Sequence, residues 1–332
     1  MIRPQGLPAR LGAALLLAGM WFGSAEANPD IWKIEWPNTD FTKTSIDLAE
    51  ILSGGPPKDG IPAIDAPKYV PVAEFKDMAD SEPVVGVVLN GEARAYPLSV
   101  LIWHEIANDT LGGVPISVTF CPLCNTSLVF DRRVEGRVLD FGTTGKLRNS
   151  DLVMYDRQTE SWWQQFLGEA IVGELVGTRL KTVPARVESL ANFRARAPGG
   201  TVLVPTNPYA RRYGMNPYTG YDSRPRPYPF FRGPLPRDIA PLKRVVSLGA
   251  RGAWSLDLVR AKGEIRLDDG IVLRWTKGQN SALDSAVIAD GEDVGNVTVQ
   301  RETTAGPEDV VYGVDFAFAY FAFYPDSPIH IE

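Results

Sequence analysis

Segments rich in β-branched residues alternate with turn residues along this chain, which restricts it to a fold built mainly of short strands. The clearest case is Pro83–Tyr96, where such residues lie on both sides of Asn90-Gly91, the dipeptide that favours a tight β-hairpin turn. Val114–Phe120 and Ser127–Phe130 are also predicted strands, and Val134–Phe141 contains a further hairpin signal. The sequence therefore predicts a β-rich α+β fold of mainly antiparallel strands and hairpins, with a few short helices and long Pro/Gly-rich loops.

Two segments have the features of short helices, namely Ser45–Leu52 and Leu98–Asn108. Apolar residues recur at helical spacing in the second segment, and two glycines follow it. Such a helix would place His104 and Asn108 on one face. Gly142–Gly145 is predicted to be a flexible loop.

The first 27 residues have the pattern of a secretory signal peptide. Arg3 and Arg10 precede the apolar run Leu11–Phe22, and Ala25-Glu26-Ala27 has the small residues of a cleavage site. The run is shorter than the roughly 20 residues that cross a bilayer, and no later segment is long enough. We expect signal removal near Ala27 and a periplasmic or secreted product without a transmembrane span.

The rest of the chain is interpreted as an arm followed by one principal domain. Residues 28–67 are rich in Pro and Gly and are predicted to form an extended N-terminal arm, and residues 68–332 the principal domain. Within that domain, 206–238 is a Pro/Tyr/Arg-rich excursion without periodicity. Its arginines are Arg211, Arg212, Arg224, Arg226, Arg232 and Arg237. The excursion either binds an anionic or carbohydrate ligand or, as we favour, packs with its arginines paired to the acidic body.

Composition and motifs exclude several functions. The chain has a formal net charge of −6, so nucleic acid is not an expected partner. It has no Gly-rich dinucleotide motif, no phosphate-binding P-loop and no Gly-x-Ser-x-Gly elbow, so no nucleotide cofactor and no serine-hydrolase chemistry are expected.

The two cysteines, Cys121 and Cys124, are the most informative residues for function. A pair at this spacing can form a disulfide, exchange thiols or bind a metal ion. A disulfide closing so small a ring would stabilise the fold by only about 2 kcal/mol, although it would persist in an oxidising compartment. Thioredoxin-like exchange is disfavoured because the segment after Cys124 is a predicted strand, not the helix whose N-terminus lowers a thiol pKa.

A metal site needs a third ligand, and His104 is the predicted one. The chain has just two histidines, and the other, His330, lies near the C-terminus. Cys121, Cys124 and His104 would form a soft ligand set for copper, with zinc second, and Glu105 or Asp109 could orient the imidazole. His104 could equally be a hydrogen-bonded residue at the edge of the core.

Carboxylates farther along the chain are a weaker signal. Asp151, Asp156 and Glu160 could serve in acid–base chemistry or hold a hard cation. They lie in turn-rich sequence, where such residues are more often helix caps and turn formers, and we favour that role.

A set of motifs spread over most of the chain resembles the bacterial domain-of-unknown-function family 3179. The motifs are Trp103–Glu105, Asn108-Asp109, Phe120–Thr126, Phe141-Gly142, Asn149–Asp156 and Thr159–Gln164, with weaker similarity around Phe193–Leu203 and Phe316–Pro325. Trp163 and Asn125 depart from the family pattern, in which a smaller residue and Gly are common. The resemblance implies no activity or mechanism.

Two functional hypotheses follow. In the first, the chain is an exported protein whose Cys121, Cys124 and His104 form a copper or zinc site or a thiol-redox site, and these three residues are also the candidates for any catalysis. In the second, it is a non-catalytic periplasmic binding module in which a Cys121–Cys124 disulfide is purely structural. The partner would be a small molecule, a metal or a protein.

Overall fold

The computed structural model describes residues 29–332, so the predicted signal peptide lies outside the described residues. Strands dominate this part of the chain. In order they are β1 (Ile51–Ser53), β2 (Lys68–Pro71), β3 (Pro83–Leu89), β4 (Glu92–Pro97), β5 (Ile106–Leu111), β6 (Val114–Cys121), β7 (Thr126–Asp131), β8 (Arg133–Val134), β9 (Arg137–Val138), β10 (Phe141–Arg148), β11 (Asp151–Asp156) and β12 (Trp162–Gln164). They continue with β13 (Glu169–Val172), β14 (Lys181–Val183), β15 (Arg186–Ser189), β16 (Thr201–Val204), β17 (Arg244–Ser247), β18 (Ala253–Ser255), β19 (Glu264–Arg266), β20 (Ile271–Thr276), β21 (Asn296–Thr303), β22 (Gly306–Asp309), β23 (Gly313–Phe316) and β24 (Ile329–His330).

The helices are few and short. They are α1 (Pro29–Glu35), α2 (Leu98–Leu101), α3 (Leu190–Arg196), α4 (Leu256–Lys262) and α5 (Ala317–Phe323), with single 3₁₀ turns at Leu48–Glu50, Tyr221–Ser223 and Ile288–Asp290. Ser189 and Ser255 cap α3 and α4 by accepting backbone N–H groups. Among the described residues, no helix has the length and apolar character needed to cross a membrane.

The strands form five sheets of four or five strands and one isolated two-stranded pair. The orders are β1-β10-β11-β12-β13, β14-β7-β6-β5, β15-β3-β4-β16-β2, β23-β17-β18-β24 and β19-β20-β21-β22, with β8-β9 apart. Pairing is antiparallel except for β4 with β16 and β18 with β24. The arrangement is similar to a five-bladed β-propeller, although single sheets combine strands that are distant in sequence. The predicted β-rich, mainly antiparallel fold is confirmed.

The largest apolar core lies between these sheets and contains both cysteines. Its members range from Val85 to Tyr320 in sequence and include Phe120, Cys121 and Cys124. All six residues of β11 are buried, so its polar side chains lie in the interior together with its apolar ones. Each buried polar group must then find a partner there.

Several local predictions are confirmed by the strand register. Asn90-Gly91 joins β3 to β4, and both residues have positive φ, as a type I′ turn requires. The segment Phe120–Thr126 connects β6 to β7, so the cysteines lie on a strand-to-strand turn as expected. Glu135-Gly136 joins the short pair β8–β9.

Two local predictions are wrong. The helix predicted over Leu98–Asn108 ends at Leu101, and the chain then enters β5, so His104 and Asn108 do not share a helical face. Pairing of β5 with β6 over six residue pairs outweighs the weak helical pattern. The predicted loop Gly142–Gly145 is part of β10, where a register shift between Thr143 and Lys146 accommodates Thr144 and Gly145 as a bulge.

The N-terminal segment is more ordered than the predicted extended arm. Residues 29–35 form α1, and Ile51–Ser53 pair with β10, while the helix predicted at Ser45–Leu52 is reduced to one 3₁₀ turn. Trp32, Trp36 and Phe41 surround the fully buried Trp162, with ring centroids 5.2 to 5.3 Å from it. This aromatic cluster fixes the segment against β12.

The excursion 206–238 lacks α-helices and strands, as predicted, and it packs onto the cysteine turn. The Tyr221 hydroxyl donates to the Leu123 carbonyl at 3.1 Å, and the Tyr221 ring stacks on Tyr228 at 4.5 Å. The expected pairing of its six arginines with carboxylates is wrong, because none of them forms an ion pair within residues 29–332. Arg224 instead lies over the Tyr228 ring.

Candidate metal centre

The β6–β7 turn places both cysteines in the interior. Cys121 ends β6 opposite Thr126, and the Cys124 N–H donates to the Cys121 carbonyl at 3.3 Å, which closes the turn. Asn125 adopts positive φ (54°) and donates its side-chain N–H to Val314. Cys121 is 2% and Cys124 0% exposed, and both are free thiols. A Cys121–Cys124 disulfide, which was the alternative to metal binding or thiol exchange, is therefore absent from the structure.

A second hairpin brings a carboxylate to the thiols. β10 and β11 are joined by the two-residue turn Asn149-Ser150, whose φ values of 53° and 62° match a type I′ turn. The Ser150 carbonyl accepts weak hydrogen bonds from Cys124 Sγ at 3.4 Å and Cys121 Sγ at 3.7 Å. The next residue, Asp151, begins β11 and points its carboxylate at the same place.

Cys121, Cys124 and Asp151 form a compact group of donor atoms. One ligand atom from each, two Sγ and one carboxylate oxygen, all lie within 4.8 Å of one another. Asp151 Oδ2 accepts from Gln164 Nε2 at 2.6 Å and from the Phe166 N–H at 2.9 Å. Asp151 Oδ1 is buried and, within the described part of the chain, has no hydrogen-bond partner. A buried acceptor without a protein partner, lying beside two sulfur atoms, could coordinate a cation.

Burial favours the uncharged forms of these groups. It raises the pKa of Asp151 to about 7, although the hydrogen bonds from Phe166 and Gln164 and the proximity of the two thiols act against this. Burial also raises the pKa of Cys121, with Asp151 and Glu105 adding to the effect. The pKa of Cys124 is raised well above its usual value by burial, by Cys121 and by nearby carboxylates. The thiols are therefore poor nucleophiles without a bound cation.

Two further buried acids lie close to the thiols. Burial, and to a lesser extent Asp151, raises the pKa of Glu105 to about 8. Asp315 on β23 has its pKa raised to about 6 by burial, although it accepts hydrogen bonds from Ser247 and Thr126. Among residues 29–332, no Lys or Arg forms an ion pair with Asp151, Glu105 or Asp315. Three carboxyl groups and two thiols are thus buried together without a counter-charge.

His104 is not brought into the donor group. Its Nδ1 lies 2.8 Å from the Pro62 carbonyl and its Nε2 2.8 Å from the Tyr213 hydroxyl, so both ring nitrogens already have partners. Burial lowers its pKa. Asp109 also has another role, since its Oδ2 accepts from Arg94 at 2.6 Å and from Tyr96 at 2.5 Å. Neither Glu105 nor Asp109 hydrogen-bonds to the imidazole.

Sequence reasoning missed Asp151 as a functional residue. The sequence favours a turn-forming role for Asp151, and the residue does follow a turn, but its carboxylate is fully buried. A usable signal was present, because Asn149-Ser150 between two alternating segments indicates a tight hairpin. The 30-residue separation from Cys121 gave no indication that the two hairpins pack together.

A cavity of about 300 Å³ lies next to the buried group. Its lining includes Glu105, Leu123 and Leu152 from the body of the protein and Tyr218 and Tyr228 from the excursion. Leu123 lies between the two cysteines in sequence and Leu152 follows Asp151. The cavity is therefore lined by sequence neighbours of the cysteines and Asp151, but not by these three residues themselves.

Comparison with known proteins gives a family and no activity. A family model described as "Protein of unknown function (DUF3179)" matches residues 58–327, which include every residue of the site. No curated protein matches the chain. No solved structure matches it either. Because the family model covers most of the sequence and agrees with the motifs around both cysteines, the chain belongs to the DUF3179 family.

Proposed function

We propose that this protein binds a metal ion at Cys121, Cys124 and Asp151. The observation that carries the proposal is a buried group of two thiols and the Asp151 carboxylate, with the buried acids Glu105 and Asp315 close by and no ion pair from a Lys or Arg to any of the three acids within residues 29–332. Burying several potential anions together is costly unless a cation balances them. A divalent ion would supply that charge and would use the unpartnered Asp151 Oδ1.

The donor set favours zinc over copper. Two thiolates and one carboxylate oxygen are common zinc ligands, whereas copper was preferred when an imidazole was the expected third donor. Three protein ligands leave one position of a tetrahedral ion for water or another ligand, as in catalytic zinc sites. Glu105, which lines the cavity, lies on the side from which such a ligand would approach.

The geometry disfavours a thiol-redox role. Thiol–disulfide exchange requires a reachable thiolate, whereas both thiols are almost fully buried and their pKa values are raised. Metal binding has the opposite requirement, because the ion itself displaces the thiol protons and is protected by burial. The alternative of a binding module with a structural disulfide is also disfavoured, because Cys121 and Cys124 are free thiols.

The cellular location forms part of the proposal. The pattern of Arg3, Arg10 and Leu11–Phe22 supports export and cleavage near Ala27, giving a periplasmic or secreted protein. In an oxidising compartment, two free vicinal thiols are best preserved when a metal occupies them. N-terminal sequencing of the protein recovered from culture fractions tests the cleavage position.

Purified protein is expected to bind one zinc ion per chain and to release protons as it does so. Both thiols are protonated before binding, so loading at pH 7 should release at least two protons, which a weakly buffered calorimetric titration in two buffers measures. Elemental analysis of protein isolated without added metal should find a bound ion near one equivalent. Recovery of a chain that carries no metal and takes up less than about 0.1 equivalent of zinc or copper would reject the proposal.

A further inference from the structure

The Ser150 carbonyl oxygen and the two cysteine sulfur atoms surround one point. The oxygen is 3.4 Å from Cys124 Sγ and 3.7 Å from Cys121 Sγ, and the two sulfur atoms are 3.9 Å apart. A tetrahedral zinc ion, with bonds of about 2.3 Å to sulfur and about 2.1 Å to oxygen, holds two sulfur ligands about 3.8 Å apart and an oxygen ligand about 3.6 Å from each sulfur. The three observed distances therefore match three ligands of one tetrahedral ion.

The Asp151 carboxylate supplies the fourth corner of such a tetrahedron. One of its oxygens lies within 4.8 Å of both sulfur atoms, and Asp151 directly follows Ser150 in the chain. Ser150 belongs to the turn between β10 and β11, and Asp151 is the first residue of β11. This hairpin therefore offers two oxygen ligands, while the turn between β6 and β7 offers two sulfur ligands.

The thiols are the only hydrogen-bond partners of the Ser150 carbonyl within residues 29–332. Thiols are weak donors, and Ser150 is 0% exposed, so bulk water does not reach the carbonyl. A metal ion displaces the thiol protons when it binds. Without a bond to that ion, the carbonyl would then face two thiolates and have no donor, which is costly for a buried polar group.

A neutral fourth ligand also suits the charge of the site. Two thiolates and one carboxylate together exceed the charge of a divalent ion by one negative charge. A hydroxide, or the nearby carboxylate of Glu105, would add a further negative charge in a buried place and raise the cost of burial. A carbonyl oxygen adds no charge, and zinc accepts sulfur and oxygen ligands together.

We propose that the backbone carbonyl of Ser150 is the fourth protein ligand of the metal ion, so that the ion has no position open to water or to a substrate. This inference rests on the proposed function and deepens it. Four protein ligands are typical of structural metal sites. The ion then ties the β6–β7 turn to the β10–β11 hairpin, and a molecule in the cavity beside Glu105 meets no open coordination position.

Ser150→Gly separates the carbonyl from the side chain of the same residue. The variant keeps the carbonyl and removes Ser150 Oγ, which is buried and has no partner within the described residues. Zinc affinity should stay within about threefold of the wild type, because Asn-Gly favours the positive φ values of this turn. A loss of about tenfold or more, as groups that act on a metal typically cause, would implicate the hydroxyl and overturn the inference.

Cobalt(II) in place of zinc tests in solution whether a coordination position is open. Thiolate-to-cobalt absorption bands show that the ion occupies the cysteines, and millimolar azide should leave these bands unchanged. Asp151→Ala at saturating cobalt is the control, because it frees one position and its spectrum should respond to azide. A wild-type spectrum that changes with azide would overturn the inference, while the bands themselves would still support the proposed metal site.

A crystal structure of the zinc-loaded protein tests the ligand directly. The Ser150 oxygen is expected at about 2.0–2.2 Å from zinc, with two sulfur atoms and one Asp151 oxygen as the other ligands. A water or hydroxide in the fourth position, with the Ser150 oxygen beyond about 3 Å, would overturn the inference and leave the proposed zinc site intact. Zinc absent from the cysteines would overturn the proposed function together with this inference.

Discussion

Replacing Asp151 by Asn is expected to raise the stability of the metal-free protein at pH 8 while it weakens zinc binding by about 100-fold or more. The variant removes a buried acid that must ionise in the folded state at this pH, and it keeps an oxygen to accept from Gln164 and Phe166. It also removes the charged ligand oxygen. Mutating residues that merely support a metal's ligands typically lowers metal affinity about 10–100-fold, and the loss of a ligand charge should lower it at least as much. Thermal unfolding with chelator and zinc competition titrations measure the two effects.

Asp156→Asn is the matched control for this variant. Asp156 lies at the other end of β11 and is also fully buried, but its carboxylate accepts from Thr159 and from Trp163 Nε1. Its replacement should lower stability by removing these charge-assisted hydrogen bonds and leave zinc affinity unchanged. If Asp151→Asn instead lowered apo stability and kept the wild-type zinc affinity, Asp151 would have a structural role only.

The metal-free protein is expected to become less stable as pH rises from about 4 to about 8. Burial raises the pKa of Glu105 to about 8, of Asp151 to about 7 and of Asp315 to about 6. The folded state then holds protons that the unfolded state has released, so their stabilising contribution is complete below the unfolded pKa values and lost above the folded ones. Each such group changes the free energy of unfolding by about 1.4 kcal/mol per pH unit between its two pKa values.

Zinc should reverse this trend, because binding needs deprotonated thiols and becomes stronger as pH rises. The increase in melting temperature produced by saturating zinc is therefore expected to be larger at pH 8 than at pH 6. Urea unfolding of the chelator-treated protein across this range measures the metal-free profile, and thermal unfolding with and without saturating zinc measures the change in melting temperature. Glu105→Gln should flatten the metal-free profile, and Glu292→Gln, the same exchange at an exposed position, is the control. A metal-free profile that rises steadily between pH 5 and pH 8 is incompatible with the proposed buried acids.

Local features of the fold were predictable because they depend on neighbouring residues. Asn90-Gly91 specifies a type I′ turn by its tolerance of positive φ, and the β-branched residues around it favour strands. The alternation in Val114–Phe120 and Ser127–Phe130 likewise located the turn that holds the cysteines. Trp162 and Trp163 are large apolar residues of the kind that cores favour, and both are 0% exposed.

Features that depend on distant pairing were not predictable. The prediction of His104 as a ligand depends on a helix over Leu98–Asn108. Pairing with β6 instead places residues 106–111 in a strand. Asp151 reaches the cysteines because one hairpin packs on another, which local periodicity does not encode. Glu105 was identified as important, but for orienting the imidazole and not as a buried acid facing a cavity.

The excursion 206–238 shows the same limit. Its proline-rich composition correctly indicated irregular structure. Which of its residues face the site depends on contacts such as Tyr221 with Leu123 and His104 with Tyr213, which join segments about 100 residues apart. The wall that Tyr218 and Tyr228 provide for the cavity was therefore visible only in three dimensions.

X-ray absorption at the zinc edge of the loaded protein tests most directly whether the cysteines and Asp151 hold a metal. The expected spectrum contains two sulfur neighbours at about 2.3 Å and oxygen neighbours at about 2.0–2.2 Å, without the outer-shell scattering of an imidazole. In Cys121→Ser the sulfur count should fall to one. A first shell made only of nitrogen and oxygen, or one with an imidazole signal, would contradict the assignment.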